Sequence, residues 1–329
     1  MSEQFQAYQV GKNEEGQRCV LTQLDDSDLM NGDVTVRVEY TTLNYKDGLA
    51  LTGRSPIIRK FPLTPGIDFS GTVLESEHAD FKAGDEVILN GFGVGEAHSG
   101  GYAQKARVSG DWLVPMPDGL DMRRAMAIGT AGYTAMLCIL ALEKHGIKPD
   151  AGDILVTGAA GGVGSVAVAV LSKLGYRVVA STGRLQESEF LQGLGAAEVV
   201  DRAGFAEPAR PLGREVWAGA IDVAGGNTLA NVLSQIKRGG AAAICGLAES
   251  MNLPTSVAPF ILRGIAMYGI DSVMAPIPLR KQAWQRLASD LDFKLLDELS
   301  FDLDFADLPQ AGADILDGKI RGRAIVKVP

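Results

Sequence analysis

The sequence predicts an α/β protein: a doubly wound parallel sheet plus a second, β-rich domain. Two observations carry this. Asp153-Ile154-Leu155-Val156-Thr157-Gly158-Ala159-Ala160-Gly161-Gly162-Val163-Gly164 reads as a short buried strand running into a glycine-rich turn, with an apolar helix after it. Before about residue 120 the chain instead falls into short alternating runs separated by turn residues. At 329 residues it is also long for one core, so two domains are expected.

The β-rich part begins with Phe5 to Val10, which alternates apolar and polar residues. Asp33 to Tyr40 alternates for longer and places Val34, Val36 and Val38 on one face. Gly71 to Glu75, Glu86 to Leu89 and Tyr102 to Val108 give further strands, with a turn at Lys82-Ala83-Gly84-Asp85. Asp118-Gly119 closes this part. Met122 to Ile128 and Gly132 to Leu142 predict two helical stretches, and Ile147 to Gly152 a turn.

The central unit follows. Ile154 to Val156 is a strand, Ser165 to Leu174 a helix ended by Gly175, and Tyr176 to Ala180 the next strand. Beyond it, helix and strand alternate: Glu187 to Leu194, Ala197 to Arg202, Trp217 to Val223, Asn227 to Ile236, Gly239 to Gly246 and Arg263 to Asp271. This is the spacing of a Rossmann sheet of about six parallel strands. Pro278 to Leu291 predicts an amphipathic helix. Ile320 to Val328 alternates again and is expected to return to the β domain.

The glycine turn points to a dinucleotide. Ala159, Gly161 and Gly164 hold the three fingerprint positions, and the helix N-terminus behind them offers unpaired N–H groups to a pyrophosphate. After the second strand an NAD site usually carries an Asp or Glu for the ribose 2′-hydroxyl. Here the residues are Ser181-Thr182-Gly183-Arg184. Two hydroxyls and a forked guanidinium suit a 2′-phosphate, so NADPH is the expected cofactor. A solvated Arg184 is the alternative.

Composition excludes several classes. Hydrophobic residues are 46% and charged residues 22%, and the formal net charge is -9 with both signs interspersed. Nucleic acid is therefore not an expected partner. The start Met-Ser-Glu-Gln-Phe-Gln has neither the basic nor the apolar region of a signal peptide, and no uninterrupted apolar run of spanning length occurs. A cytoplasmic protein without a membrane partner is expected. Cys19, Cys138 and Cys245 are scattered and beside apolar neighbours, which predicts buried free thiols. With His78, His98 and His145 as the only histidines, no metal site is expected.

The order of the pieces resembles the medium-chain dehydrogenase/reductase superfamily over essentially the whole chain. Pro65-Gly66-Ile67-Asp68-Phe69-Ser70-Gly71 matches its P-G-x-[DE]-x-x-G stretch. The likeness implies a GroES-like catalytic domain over 1–121 and 292–329 around a Rossmann NADPH-binding domain over 122–291. Zinc alcohol dehydrogenases carry Gly-His-Glu where this chain has Gly66-Ile67-Asp68, and the ligand Cys and His are missing. The sequence is therefore similar to the zinc-free quinone-oxidoreductase branch, which shares the loop Gly158 to Gly164.

More narrowly, Leu43-Asn44-Tyr45-Lys46-Asp47, Ser181-Thr182-Gly183-Arg184 and Gly318-Lys319-Ile320-Arg321-Gly322-Arg323 resemble the acrylyl-CoA reductases, which use NADPH to reduce acrylyl-CoA to propionyl-CoA. That resemblance implies cofactor contacts at Tyr45, Ala160, Gly161, Gly162, Val163, Ser181, Thr182, Gly183, Arg184, Arg202, Leu247, Ile261, Ser272 and Lys319. It also implies a small acyl-CoA substrate and a homodimer. Arg202, after a strand, suits stacking on adenine or solvent exposure. Lys319 is either a contact or an exposed loop charge. Tyr45 is the expected donor to a developing enolate, beside Asn44, or else a packing residue. Asp68 reads as structural. Arg54, Arg59 and Lys60 suit coenzyme A phosphates or a solvated basic loop. Two other functions fit the same residues: reduction of quinones or α,β-unsaturated carbonyls, and NADPH binding without turnover.

Overall fold

The alternating segments form strands where their period of two predicts them. In the computed structural model, residues 4–14 and 16–329 are described. The first half gives β1 (Phe5–Asn13), β2 (Gly16–Leu24), β3 (Val34–Leu43), α1 (Tyr45–Thr52), β4 (Asp68–Ser76), β5 (Glu86–Asn90), β6 (Lys105–Val108), β7 (Val114–Pro115) and α2 (Met122–His145). The middle gives β8 (Ile154–Val156), α3 (Gly162–Lys173), β9 (Val178–Thr182), α4 (Ser188–Gly193), β10 (Glu198–Asp201), β11 (Trp217–Asp222), α5 (Gly226–Gln235), β12 (Ile236–Ile244), α6 (Ala258–Arg263) and β13 (Ala266–Gly269). Then come α7 (Ile277–Asp290), α8 (Phe293–Leu299), β14 (Ser300–Leu303), α9 (Leu308–Leu316) and β15 (Arg323–Lys327).

The chain divides into two units. Unit one runs up to Thr130 and adds Val273–Ala288 and Leu296–Pro329. Its main sheet has the order β14-β15-β3-β4-β5-β7, with β6 on β3, and β1 and β2 form a separate ribbon. Val34, Val36 and Val38 share one core with Phe69, Leu89 and Val326. Full burial of such side chains contributes about 1.5–3 kcal/mol each. The tail strand β15 pairs antiparallel with β3, Ala324 opposite Leu43. This register carries Arg323 to the start of α1. That helix ends at Gly53, whose φ of 70° needs glycine. It packs on α9 so closely that a Cβ on Gly48 would lie 2.6 Å from the Gly312 carbonyl.

Unit two comprises Ala131–Ser272 and Ser289–Leu295. Its six strands are parallel in the order β10-β9-β8-β11-β12-β13. The order reverses between β8 and β11, the switch point where such sheets bind nucleotides at their carboxyl ends. Apolar side chains of strands and helices, Leu155, Val179, Leu229, Leu233 and Ala242 among them, fill its core.

The two helical stretches expected after residue 122 are both present in α2, separated by a kink at Gly129 (φ 51°, ψ -162°). By length and composition α2 is the one helix among the described residues apolar enough to cross a membrane, but 89% of its apolar window is buried, as in a core helix. The structure departs from the sequence reading at one helix: the first part of α7, expected with the nucleotide domain, lies in unit one. Arg280 holds it there: the buried guanidinium donates to the carbonyls of Asn90 (2.7 Å) and Val273 (2.8 Å) and lies 4.3 Å from the centre of the Phe92 ring. An amphipathic pattern tells that a helix is half buried, not which core it faces.

Candidate functional site

In unit two, β8 delivers the chain into the glycine turn and α3 leaves it. Gly158 has φ 58°, and a Cβ there would strike Val223. Gly161 caps α3, whose first intrahelical bond is Ser165 N–H to the Gly161 carbonyl at 2.9 Å. The N–H groups of Gly162, Val163 and Gly164 are therefore the unpaired donors of a helix start. A Cβ on Gly164 would lie 2.5 Å from the Gly158 carbonyl, so helix and loop touch only because it is glycine. Thr157 Oγ1 donates to Asp222 at 2.7 Å and accepts from Val223 N–H at 3.0 Å, tying the ends of β8 and β11 together. Burial raises the pKa of Asp222.

The end of β9 holds the residues expected at the 2′-phosphate. Ser181 is fully buried inside the strand, and its hydroxyl meets no hydrogen-bond partner among the described residues. Thr182 Oγ1 accepts the Arg184 N–H at 3.0 Å, which shapes the turn and leaves its O–H as a donor. Arg184 is half-buried and donates from Nη2 to the Ala160 carbonyl at 2.9 Å, bracing the phosphate loop. Arg202 is exposed and lies against Gly183, where any Cβ would collide with its side chain. Two guanidiniums, an orphaned hydroxyl and no carboxylate between 181 and 184 fit the phosphorylated ribose of NADPH. Leu247 is 60% exposed beyond β12, Ile261 is 72% exposed on α6, and Ser272 follows β13 half-buried.

Unit one holds Asn44, Tyr45 and Lys319. Tyr45 is the first residue of α1 and 56% exposed, with no partner for its hydroxyl among the described residues. Asn44 is buried and its amide is occupied: Nδ2 donates to Asp47 (3.2 Å) and Asp68 (3.0 Å), and Oδ1 accepts from Arg323 (3.3 Å). Both ends of the Asn44 amide are thus engaged within unit one. Lys319 pairs with Asp314 (3.0 Å) and Asp317 (3.3 Å), so its charge is met locally. Arg54 likewise pairs with Asp317 at 2.7 Å, and Arg59 reaches Glu96 at 3.9 Å.

The sequence reading missed the polar cluster beneath Tyr45. Asp47 reaches back to the Asn44 N–H (2.9 Å) and also accepts the Ile67 N–H (2.9 Å). Asp68 accepts the Thr130 N–H at 2.7 Å. Buried Arg323 donates to the Ala127 carbonyl (2.8 Å) and Thr42 Oγ1 (3.1 Å). Two buried carboxyls thus share one nearby guanidinium. Burial and the neighbouring Asp68 push Asp47 up to about 7, and burial raises Asp68 against the pull of Arg323. An Asp pKa raised on folding contributes stability that is fully present below the unfolded value and lost as pH rises through the folded one. Stability is therefore expected to fall from pH about 4 to about 7, by up to about 1.4 kcal/mol per pH unit for each proton. Asp47→Asn should flatten that slope. Denaturant midpoints measured across this window check it; a wild-type midpoint that rises or stays level contradicts it.

Other features carry less. The three cysteines are free thiols; Cys138 is buried, while Cys19 and Cys245 are half-buried rather than buried as expected. No described cluster of three or more His, Cys, Asp or Glu could hold a metal ion. An open cavity of about 470 Å³ in unit one is lined by Asp80, Asp85, Glu86 and Asp118. Its carboxylates suit no anionic nucleotide.

Comparison with known proteins agrees with this geometry. Residues 30–118 match the alcohol dehydrogenase GroES-like domain, and residues 162–290 match the zinc-binding dehydrogenase family. Acrylyl-CoA reductase AcuI of Ruegeria pomeroyi is 52% identical over 98% of this chain and 99% of its own. Escherichia coli K-12 YhdH, solved with bound NADPH, has a TM-score of 0.96 at 53% identity, covering 98% of this chain and 100% of that one. Bacillus subtilis yhfP, solved with NAD bound, has a TM-score of 0.95 at 43% identity, covering 99% and 100%. With such identity over nearly the whole of both chains, the protein belongs to the medium-chain dehydrogenase/reductase superfamily, in its zinc-free quinone-oxidoreductase branch.

Proposed function

We propose that the protein is an NADPH-dependent reductase of short enoyl thioesters that converts acrylyl-CoA to propionyl-CoA. The observation that carries this is the 52% identity, across almost all of both chains, to a protein named for that reaction. One NADPH and one proton are consumed for each acrylyl-CoA reduced. When bound, the dinucleotide supplies a hydride to the β-carbon of the thioester. The amides at the start of α3 hold its pyrophosphate, and Arg184 and Arg202 hold its 2′-phosphate. Tyr45 donates a hydrogen bond to the thioester oxygen as negative charge develops there. Asn44, Asp47, Asp68 and Arg323 fix the start of α1 and so the tyrosine. Leu247, Ile261, Ser272 and Lys319 complete the proposed contacts. The α-carbon then takes a proton from solvent or a side chain.

NADPH oxidation measured with acrylyl-CoA, with a quinone and with no substrate tests this reading. Fast oxidation with acrylyl-CoA alone is expected. Oxidation only with a quinone would move the protein to quinone reduction, and NADPH binding without turnover would make it a nucleotide-binding protein.

We also propose a cytoplasmic homodimer. Among the described residues, edge strand β13 pairs only with β12, and its residues alternate between half-buried and exposed. An open edge of this kind is commonly covered by another chain. Sedimentation at micromolar concentration should give a dimer; a monomer contradicts the assembly.

A further inference from the structure

We propose that Glu249 is a positioning residue for the nicotinamide half of the cofactor, its carboxylate clamping the loop that carries Leu247 onto the N-terminus of α5. The proposal rests on the NADPH reading above and assigns a role to a residue outside every expected contact.

The loop after β12 folds back onto the segment after β11. Cys245 N–H donates to the Asp222 carbonyl (2.9 Å), Ala248 N–H to Val223 (3.2 Å) and Glu249 N–H to Ala224 (2.8 Å). A Cβ on Gly246 would run into the Val223 backbone, so the approach depends on glycine. The side chain of Glu249 then adds a second tie. Oε1 accepts the Asn227 N–H at 2.8 Å and Oε2 the Thr228 N–H at 3.2 Å.

These are first-turn donors of α5, a helix of 10 residues whose own N-cap, Gly225, offers no side chain. The Asn227 amide is turned away, donating to the Ala206 carbonyl at 3.0 Å. Gly226, at φ 59°, leaves room: a Cβ there would lie 2.5 Å from Glu249 Oε1. A carboxylate also suits the positive end of the helix dipole. The helix is thus capped by a residue 22 positions downstream. The clamp fixes Leu247, which at 60% exposure has little burial of its own to hold it. Leu247 lies past the carboxyl end of β12, one of the strands in the second half of the sheet, where the nicotinamide half belongs.

The test compares two ligands on wild type, Glu249→Ala and Glu249→Gln. NADPH carries the nicotinamide; 2′,5′-ADP carries only the phosphorylated adenosine. Glu249→Ala should weaken NADPH binding by about 2- to 30-fold, the range of lost helix caps, and leave 2′,5′-ADP binding unchanged. Glu249→Gln, which keeps one acceptor oxygen, should recover much of the loss. Hydrogen exchange at the amides of residues 246–250 should quicken in the ligand-free Glu249→Ala protein. Unchanged NADPH binding overturns the proposal, as does an equal loss for both ligands, which would make Glu249 a support of the whole unit. Wild-type protein that binds 2′,5′-ADP and NADPH equally weakly overturns the cofactor reading itself, before any variant is made.

Discussion

Tyr45→Phe is expected to lower turnover of acrylyl-CoA by about 10²–10³-fold with little change in NADPH affinity. That is the usual cost of removing one donor from a charge that develops in the transition state. Tyr45 suits the role because its hydroxyl has no described partner and its ring is more than half exposed. A flexible donor would lose much of its effect, but this one starts a helix held from below. Asn44, Asp47, Asp68 and Arg323 are buried and mutually bonded, and Gly48 and Gly312 bring α1 and α9 into contact. The substitution removes the hydroxyl and keeps the ring, so packing is preserved. Loss of kcat with little change in KM marks a transition-state interaction. Near-normal turnover returns Tyr45 to a packing role.

Arg184→Ala is expected to lower the preference for NADPH over NADH, taken as the ratio of kcat/KM values, by about 10- to 100-fold. Hydrogen bonds to charged groups contribute about 1.5–3 kcal/mol, and only NADPH carries the phosphate. The geometry adds a second consequence. Because Nη2 also braces the Ala160 carbonyl, NADH efficiency should fall too, by a smaller factor. The ratio separates the two roles. Equal losses with both cofactors would make Arg184 a support of the loop alone. A wild-type preference for NADH would overturn the assignment of the β9 turn, and the relative solved with NAD makes that comparison necessary.

The parts of the fold that were legible in the sequence are those specified locally. The strand, glycine turn and helix around Gly158 to Gly164 span few residues, and Gly158 and Gly164 each meet a local steric demand. The alternating valines of β3 likewise announce one buried face. Helix α1 was overlooked although it carries Tyr45, because eight residues give little periodicity. Its cap was nevertheless readable: Asn44 with Asp47 at the third helical position, and Gly53 at the stop. The sequence reads β9 as ending at Ala180 and leaves Ser181 free to donate, whereas β9 runs on to Thr182 and buries the Ser181 hydroxyl. Contacts between distant positions lie out of reach of local reading. Buried Arg323 meets Asn44 across 279 positions, and exposed Glu249 meets α5 across 22. Pairings of that kind are set by strand register and loop return, which no window of sequence contains.

The central claim is tested most directly by following the transferred hydrogen. Acrylyl-CoA is incubated with the protein and NADPH deuterated at the transferable C4 position, and the product is analysed by mass spectrometry and NMR. Propionyl-CoA with deuterium on the β-carbon is expected, formed one for one with the NADPH consumed. NADPH consumption without propionyl-CoA, or propionyl-CoA labelled only at the α-carbon, would contradict it.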